Sequence, residues 1–207
     1  MSDNLSTRPD AAATRKQAFV DAAREAFFER GYGSTTMSAI AGLVGGSKTT
    51  LWNYFPSKED LFAAVVDDIL KRYGGALAVD LSPDDDIGVV LNKFGNALMD
   101  TLLSEPVLSL NRLLVAEAKR FPHLAALYHE RAPRPGRMRI AVYFEALMTQ
   151  GKLRRGDATL AMKQFIGMCQ SVTFQQALLN LPPECGAAAS GREIEAAVAS
   201  FLRAWKP

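Results

Sequence analysis

The sequence of 207 residues has few of the side chains on which metal binding and cross-linking depend. It has two cysteines, Cys169 and Cys185, and two histidines, His123 and His129. The histidines are too far apart to share a helix face, as zinc ligands at i and i+4 would. The cysteines show neither metal-site spacing nor a disulfide framework, which favours a reducing compartment. We therefore expect no metal and no other cofactor.

Other absences narrow the class of protein further. No Gly-x-Ser-x-Gly elbow, Walker-type phosphate loop or dinucleotide fingerprint occurs, so we do not expect an enzyme. No apolar run reaches the roughly 18 residues that cross a membrane, and no signal peptide precedes the first predicted helix. We therefore expect a cytoplasmic protein without a membrane partner. The 24 Lys and Arg nearly balance the 22 Asp and Glu, so net charge says little about partners.

The stretch 36–58 contains no Asp or Glu, and it has the pattern of two short helices. Thr36 is a hydroxyl cap for a first helix that runs to about Leu43. Gly45 suits the position past a helix end where a left-handed backbone is needed. Ser47 caps the second helix. Two short helices joined by a glycine-containing turn indicate a DNA-binding helix-turn-helix.

The second helix of this pair should present polar and aromatic groups to solvent. Leu51 and Phe55 fall on its inward face, which leaves hydroxyl, amide, ammonium and aromatic groups outside. Such groups contact base edges and phosphates. Lys58 follows at the start of the next helix, where a helix N-terminus favours a phosphate. The predicted DNA contacts are Thr36, Ser47, Lys48, Thr49, Thr50, Trp52, Asn53, Tyr54 and Lys58. The alternative is a buried helical hairpin with no role in DNA binding.

These residues resemble the N-terminal signature of the TetR family of bacterial transcriptional repressors. That signature has a glycine turn, Ser-Lys-x-Thr-Leu-Tyr, and then Phe-Pro-Ser-Lys-Glu-x-Leu-Phe; residues 45–62 read GGSKTTLWNYFPSKEDLF in the same register. Three departures occur: Gly46 replaces the usual Val or Ile, Thr49 a small residue, and Trp52 the usual Tyr. The first affects how the turn packs, and the other two suggest an operator preference of its own. The resemblance implies a dimeric repressor that binds double-stranded operator DNA.

Apolar residues recur every three or four positions through most of the chain, which predicts an all-α protein of about nine helices. We expect a flexible N-terminal arm at residues 1–13. A helix-turn-helix DNA-binding domain of three helices should occupy 14–57, and a helical-bundle domain for ligand binding, regulation and dimerisation 58–207. Within that last domain, a helix from Lys58 to about Tyr73 should connect the two halves.

Two clusters of charge have more than one interpretation. Three consecutive acids at 84–86 resemble metal ligands, but acids in the first turn of a helix are favoured, because the helix dipole stabilises them there. Four arginines lie where Pro133 and Pro135 should break or kink a helix before it resumes near Arg137. A solvated bend is favoured there over a phosphate site. These arginines are Arg131, Arg134, Arg137 and Arg139.

The later part of the chain resembles an AefR-like subgroup of the same family. Residues 110–133 carry its Arg-Leu-x-x-x-Glu-x-x-Arg-Phe-Pro pattern, and the resemblance implies a regulatory half. The first of the last two predicted helices, near 162–179, has apolar surface on more than one face, and the second, near 194–205, is amphipathic. Both should pair with their copies as a four-helix dimer interface.

A small, mainly apolar effector is also predicted for this half. Candidate ligand contacts mix aromatic, soft and polar groups on the middle helices, and each also suits an ordinary core position. They are Phe94, Leu98, Arg112, Glu117, Phe144, Met148, Phe165 and Cys169. The alternative function is an architectural or partner-recruiting DNA-binding protein without an effector. A sealed apolar cavity inside each subunit would favour the sensor, and a filled core with an exposed apolar patch would favour the recruiter.

Overall fold

The computed structural model describes residues 11–45, 47–182 and 189–207. In these ranges the chain forms ten α-helices, one 3-10 turn at Gly75–Ala78 and no strand, so it is all-α as predicted. The helices are α1 (Ala11–Arg30), α2 (Met37–Leu43), α3 (Lys48–Tyr54), α4 (Lys58–Tyr73), α5 (Ile87–Leu103), α6 (Glu105–Glu117), α7 (Pro122–Arg131), α8 (Pro133–Thr149), α9 (Ala158–Leu178) and α10 (Ala189–Trp205).

Parts of the predicted N-terminal arm and of the predicted turn lie outside the described residues. Residues 1–10 and Gly46 are among them, as is Cys185. The remaining residues of that predicted arm, 11–13, belong to α1, which corrects this part of the prediction. Their alanines favour a helix, which explains why the first helix begins earlier than Thr14.

Local capping explains where most helices begin and end. Gly31, with φ of 81°, follows the end of α1, and Ser57 caps α4 by accepting the Asp60 N–H at 3.0 Å. Asp86 caps α5 by accepting the Val89 N–H at 2.9 Å. The three acids therefore precede the helix and do not occupy its first turn, which corrects the prediction.

Prolines divide a segment that was predicted as one helix with a break or kink at Pro133 and Pro135. Pro122 begins α7, and Pro133 begins α8 after the break at Ala132. A proline in the first helical turn has no intrahelical N–H bond to lose, so Pro133 and Pro135 both fit the start of α8. The predicted resumption near Arg137 was therefore four residues late, and this division raises the helix count to ten.

Two buried clusters hold the helices together. The first joins α1 to α4 with α6 and α7, and the rings of Phe27, Tyr32 and Phe62 meet in it with centroids 5.3 to 5.8 Å apart. The second joins α5 with α8, α9 and α10, where Phe144 stacks on Phe201 at 4.8 Å. The first cluster therefore continues across the predicted domain boundary at 57–58, which stays a prediction.

Helix α9 is kinked at Ser171, whose φ of 41° is rare for a residue with a side chain. Beyond the kink, Arg112 of α6 donates from Nε to the Leu178 carbonyl at 3.0 Å and from a terminal nitrogen to the Ala177 carbonyl at 2.7 Å. Arg112 therefore bonds two carbonyls of the last turn of α9, of which that of Ala177 also accepts the Asn180 N–H at 3.0 Å. No helix in the described ranges is long and apolar enough to span a membrane.

Candidate nucleic-acid interface

The geometry of the α2–turn–α3 segment is fixed by its caps. Thr36 accepts the Ala39 N–H at 3.2 Å, and Ser47 accepts the Thr50 N–H at 3.1 Å. Gly45 has a φ of 66°, the left-handed conformation expected of it. These features match the sequence prediction for a helix-turn-helix.

Burial separates the two faces of α3 as predicted. Leu51 and Phe55 are buried in the first cluster. Trp52 keeps 46% of its surface exposed, which is unusual for so large an apolar ring. The other exposed residues of the predicted surface are Thr36, Ser47, Lys48, Thr49 and Asn53, while Thr50 and Tyr54 are half-buried.

The exposed side chains differ in how much of their hydrogen bonding is already used. The Ser47 and Thr50 hydroxyls are 2.8 Å apart and bond to each other. The Tyr54 ring packs near Phe19, with centroids 6.2 Å apart. Within the described part of the chain, the remaining polar groups of α3 form no side-chain hydrogen bond. They belong to Lys48, Thr49, Trp52 and Asn53, which carry an ammonium, a hydroxyl, an indole N–H and an amide.

Lys58 has internal partners that the sequence did not reveal. Its ammonium donates to the Tyr32 carbonyl at 2.9 Å and the Thr35 carbonyl at 3.0 Å, and lies 4.1 Å from the centre of the Tyr32 ring. Burial lowers the pKa of this ammonium from its usual value. Two of its three donors therefore hold the α1–α2 loop, and the expected phosphate contact, for which one donor is left, stays a prediction.

The same loop is also held from the regulatory half. Glu117, at the end of α6, accepts the Gly33 N–H at 2.9 Å. Phe121, just beyond α6, packs edge-on against Tyr32 with ring centroids 5.1 Å apart. Glu117, one of the predicted ligand contacts, therefore joins the two halves of the molecule and is not among the residues that line the cavity described below.

A basic residue near the interface was passed over in the sequence. Lys16 is exposed on α1, and its ammonium lies 5.5 Å from the centre of the Phe55 ring. It therefore lies beside the end of α3, where a cation suits a phosphate contact. The sequence placed Lys16 close to a predicted flexible arm. It did not show that α1, which carries Lys16, packs against the helix-turn-helix.

A cavity of about 380 Å³ lies under α6 in the regulatory half. Residues from α4 to α9 line it, and the lining is mostly apolar. Phe94 and Leu98 of α5 are in its wall, as predicted for ligand contacts. Polar groups in the wall come from Thr101, Asn111, Tyr128, His129, Arg137 and Gln170.

The other six predicted ligand residues lie elsewhere, which corrects that grouping. Arg112 and Glu117 make the contacts described above. The remaining four are buried in the second cluster: Phe144, Met148, Phe165 and Cys169. Burial raises the pKa of the Cys169 thiol to about 12. Helical spacing put these residues on the middle helices, but none of them lines this cavity: Phe144 and Phe165 pack on Phe201 of α10, and Met148 lines a separate open pocket between α8 and α9.

Comparisons with known proteins agree with this arrangement. The model for "Bacterial regulatory proteins, tetR family" matches residues 19–65, and that for "AefR-like transcriptional repressor, C-terminal domain" matches 89–207. The chain is 44% identical to the HTH-type transcriptional regulator RutR of Escherichia coli over 63 residues, and this match covers 30% of each protein. The regulator UidR of Escherichia coli is 33% identical over 127 residues, 61% of this chain and 62% of UidR. The matched part thus spans less than two thirds of either curated relative.

Solved structures resemble the chain over nearly its whole length. A putative TetR-family regulator from Mesorhizobium loti has a TM-score of 0.79 and 27% identity, covering 96% of this chain and 100% of that one. The Flavonoid-responsive Regulator FrrA has a TM-score of 0.81 and 31% identity, covering 94% and 98%.

The fold and the family matches define a helical transcriptional regulator with an N-terminal DNA-binding domain, and the relatives are transcriptional regulators and not enzymes. The chain belongs to the TetR family, with an AefR-like C-terminal domain. Regulators of this family bind DNA and act as dimers.

Proposed function

We propose that this chain is a ligand-responsive repressor that binds a near-palindromic operator as a dimer and is released by a small, mainly apolar effector. The observation that supports this best is the position of α6. Val107, Leu110 and Asn111 of this helix line the cavity, and Glu117 at its end bonds the α1–α2 loop. A ligand in the cavity therefore touches the helix that holds the DNA-binding domain.

We assign DNA contacts to the surface predicted from the sequence. Trp52 and Asn53 would face base edges, Lys48 and Thr49 the edges and phosphates, and Lys16 a phosphate beside them. Further contacts would come from the hydroxyls of Thr36, Ser47, Thr50 and Tyr54, through the donors and acceptors that their internal hydrogen bonds do not use. The absence of any acid from residues 36–58 supports this assignment, because no carboxylate there repels the DNA backbone.

Pairing of two copies would set the distance between two recognition helices. Met168 and Val172 of α9 are exposed by 37% and 57%, and a side chain at Gly167 would meet nothing within 4 Å. This apolar, open face suits packing against α9 and α10 of a second copy. Two copies of α3 about 34–36 Å apart would then read two half-sites one DNA turn apart.

The release mechanism follows from the α6 contact. An effector that binds one arrangement of α6 more tightly than another shifts the population towards that arrangement. Through Glu117 the α1–α2 loop moves with α6, and the two recognition helices leave the spacing that the operator requires. No base contact needs to change for affinity to fall.

The proposal is tested with purified protein and duplex DNA selected from a random pool. Calorimetry first identifies compounds that bind the protein. Operator affinity is then measured by fluorescence anisotropy with and without each of these compounds. Naringenin is included because FrrA is described as flavonoid-responsive. At least one bound compound should weaken operator binding, and Glu117→Ala should reduce that effect while the matched variant Glu145→Ala should not. Operator affinity indifferent to every bound compound would instead support the partner-recruiting alternative, for which the exposed Met138 and Val142 of α8 offer a surface.

A further inference from the structure

The ionisable side chains that line the cavity include basic groups but no acidic ones. Arg137 of α8 and His129 of α7 line it, and none of the lining residues is Asp or Glu. The Nδ1 atom of His129 lies 3.6 Å from the carboxylate of Glu130, so this imidazole already has an acid beside it. Arg137, whose side chain is exposed to solvent, is therefore the permanent charge among the lining residues.

The acids around the cavity are already paired with other arginines. Arg131 Nε lies 3.0 Å from Asp67 of α4, and Arg134 forms an ion pair with Glu130 one turn earlier. Both pairs lie at the corner between α7 and α8. The Glu130 carboxylate thus faces both Arg134 and His129, and Asp67 faces Arg131.

Arg139 is also satisfied within the chain. It donates to the carbonyls of Leu77 and Val79, the second at 2.6 Å, which ties α8 to the 3-10 turn and the residue after it. Of the four arginines that cluster in the sequence, Arg137 alone forms no hydrogen bond or ion pair within the described ranges. It is also the one that lines the cavity.

Uncharged donors accompany Arg137 in the wall. The Tyr128 hydroxyl accepts a long hydrogen bond of 3.5 Å from the Asn111 amide, so its own proton remains to be donated. The side chain of Gln170 on α9 is half-buried and forms no hydrogen bond in the described part of the chain. A ligand with hydrogen-bond acceptors at one end would satisfy these groups.

We propose that the effector is an amphipathic carboxylic acid whose anionic head pairs with Arg137 and whose apolar body lies between Phe94, Leu98 and Phe174. This inference rests on the proposed function, because it specifies the ligand of the same cavity. A guanidinium binds a carboxylate through two parallel hydrogen bonds. A phenol is largely un-ionised near neutral pH, because its pKa is about 10. A carboxylate is ionised at this pH and therefore pairs better with the positive charge of Arg137.

The test compares acids with their neutral amides, which differ in charge and hardly in shape. The probes are decanoic acid with decanamide, and 4-phenylbutyric acid with 4-phenylbutyramide. Their affinities for the purified full chain are measured by calorimetry at pH 7.5. The variants are Arg137→Gln and the matched control Arg155→Gln, which changes an exposed arginine outside this cavity.

In the wild-type protein at least one acid should bind about three- to fivefold more tightly than its amide, as expected for an ion pair at a solvent-exposed arginine. Arg137→Gln should remove most of this preference and leave amide affinity unchanged, which also shows that the cavity is intact. Arg155→Gln should keep the preference. Equal binding of acid and amide by the wild type, or a preference that survives Arg137→Gln, would overturn the inference, as would failure of both acids to bind.

The effect of each bound compound on operator affinity distinguishes failure of this inference from failure of the proposed function. If an amide or naringenin binds and weakens operator affinity but the acids are no better, the carboxylate inference fails and the effector-responsive repressor stands. If compounds bind and none affects the operator, the proposed function fails as well.

Discussion

Replacing Lys58 by methionine removes one charge at the start of α4 and keeps most of the length of the side chain. The Lys58 ammonium bonds the carbonyls of Tyr32 and Thr35 at 2.9 and 3.0 Å. It also lies over the Tyr32 ring. We expect the variant to be less stable, because these contacts hold the α1–α2 loop against α4.

The size of this effect follows from the contacts. A hydrogen bond from a charged donor contributes about 1.5–3 kcal/mol. Burial offsets part of this gain, as the lowered pKa of Lys58 indicates, and water reaches the half-exposed site to replace lost bonds. We therefore expect a loss of about 2 kcal/mol for the two bonds together. For a chain of this length each kcal/mol corresponds to roughly 2–4 °C, so Tm should fall by about 4–8 °C.

The assay pairs thermal unfolding with the salt dependence of binding to a random-sequence duplex, and Lys48→Met is the control. Lys48 is exposed and forms no internal bond, so its variant should keep its Tm, while the slope of log affinity against log salt falls by about 0.9 for one lost phosphate contact. Lys58→Met should lower Tm and change the slope by less than half as much. An unchanged Tm with a slope loss of about 0.9 would refute the internal role of Lys58.

Three further predictions concern α3, α9 and the buried thiol. Asn53→Ala should change the bases preferred in selection from a random pool and leave affinity for random DNA nearly unchanged; an identical selected sequence would argue against base contact. Val172→Glu places a charge on the exposed face of α9, so light scattering should find monomers, and a persistent dimer would locate the interface elsewhere. Because burial raises the pKa of Cys169 to about 12, iodoacetamide at pH 8 should leave it unmodified in the folded protein and modify it in urea, as read by peptide mass spectrometry. Rapid modification of the folded protein would contradict its burial.

The DNA-binding segment was predictable because its signals are local. Thr36, Gly45 and Ser47 each act within three or four residues of their position, through a cap or a left-handed turn. The inward position of Leu51 and Phe55 follows from helical periodicity alone. Local rules of this kind can be read without knowledge of what packs nearby.

Contacts between distant segments were not predictable in the same way. Lys58 bonds residues 23 and 26 positions away, and the Glu117 contact to Gly33 spans 84 positions. A charged residue in an apolar stretch must be paired or solvated, but the sequence does not name its partner. Arg112 is another example, since its partners are two carbonyls at the end of α9.

The cavity was predicted only in part for a related reason. Helical periodicity identifies an apolar face but does not say which neighbour that face meets. Phe94 lies in the cavity wall and also faces Phe165 at 6.3 Å, whereas Phe165 itself lies outside the wall. The rotation of each helix in the bundle decides between the two positions, and that rotation depends on packing among all its neighbours.

The central claim is that the exposed face of α3 reads DNA in two copies held at a fixed spacing. A hydroxyl-radical footprint of the purified protein on a selected duplex tests it most directly. The account predicts two protected segments on one face of the duplex, about 34–36 Å apart and related by the symmetry of the site. A single protected segment, or no protection at low ionic strength, would contradict it.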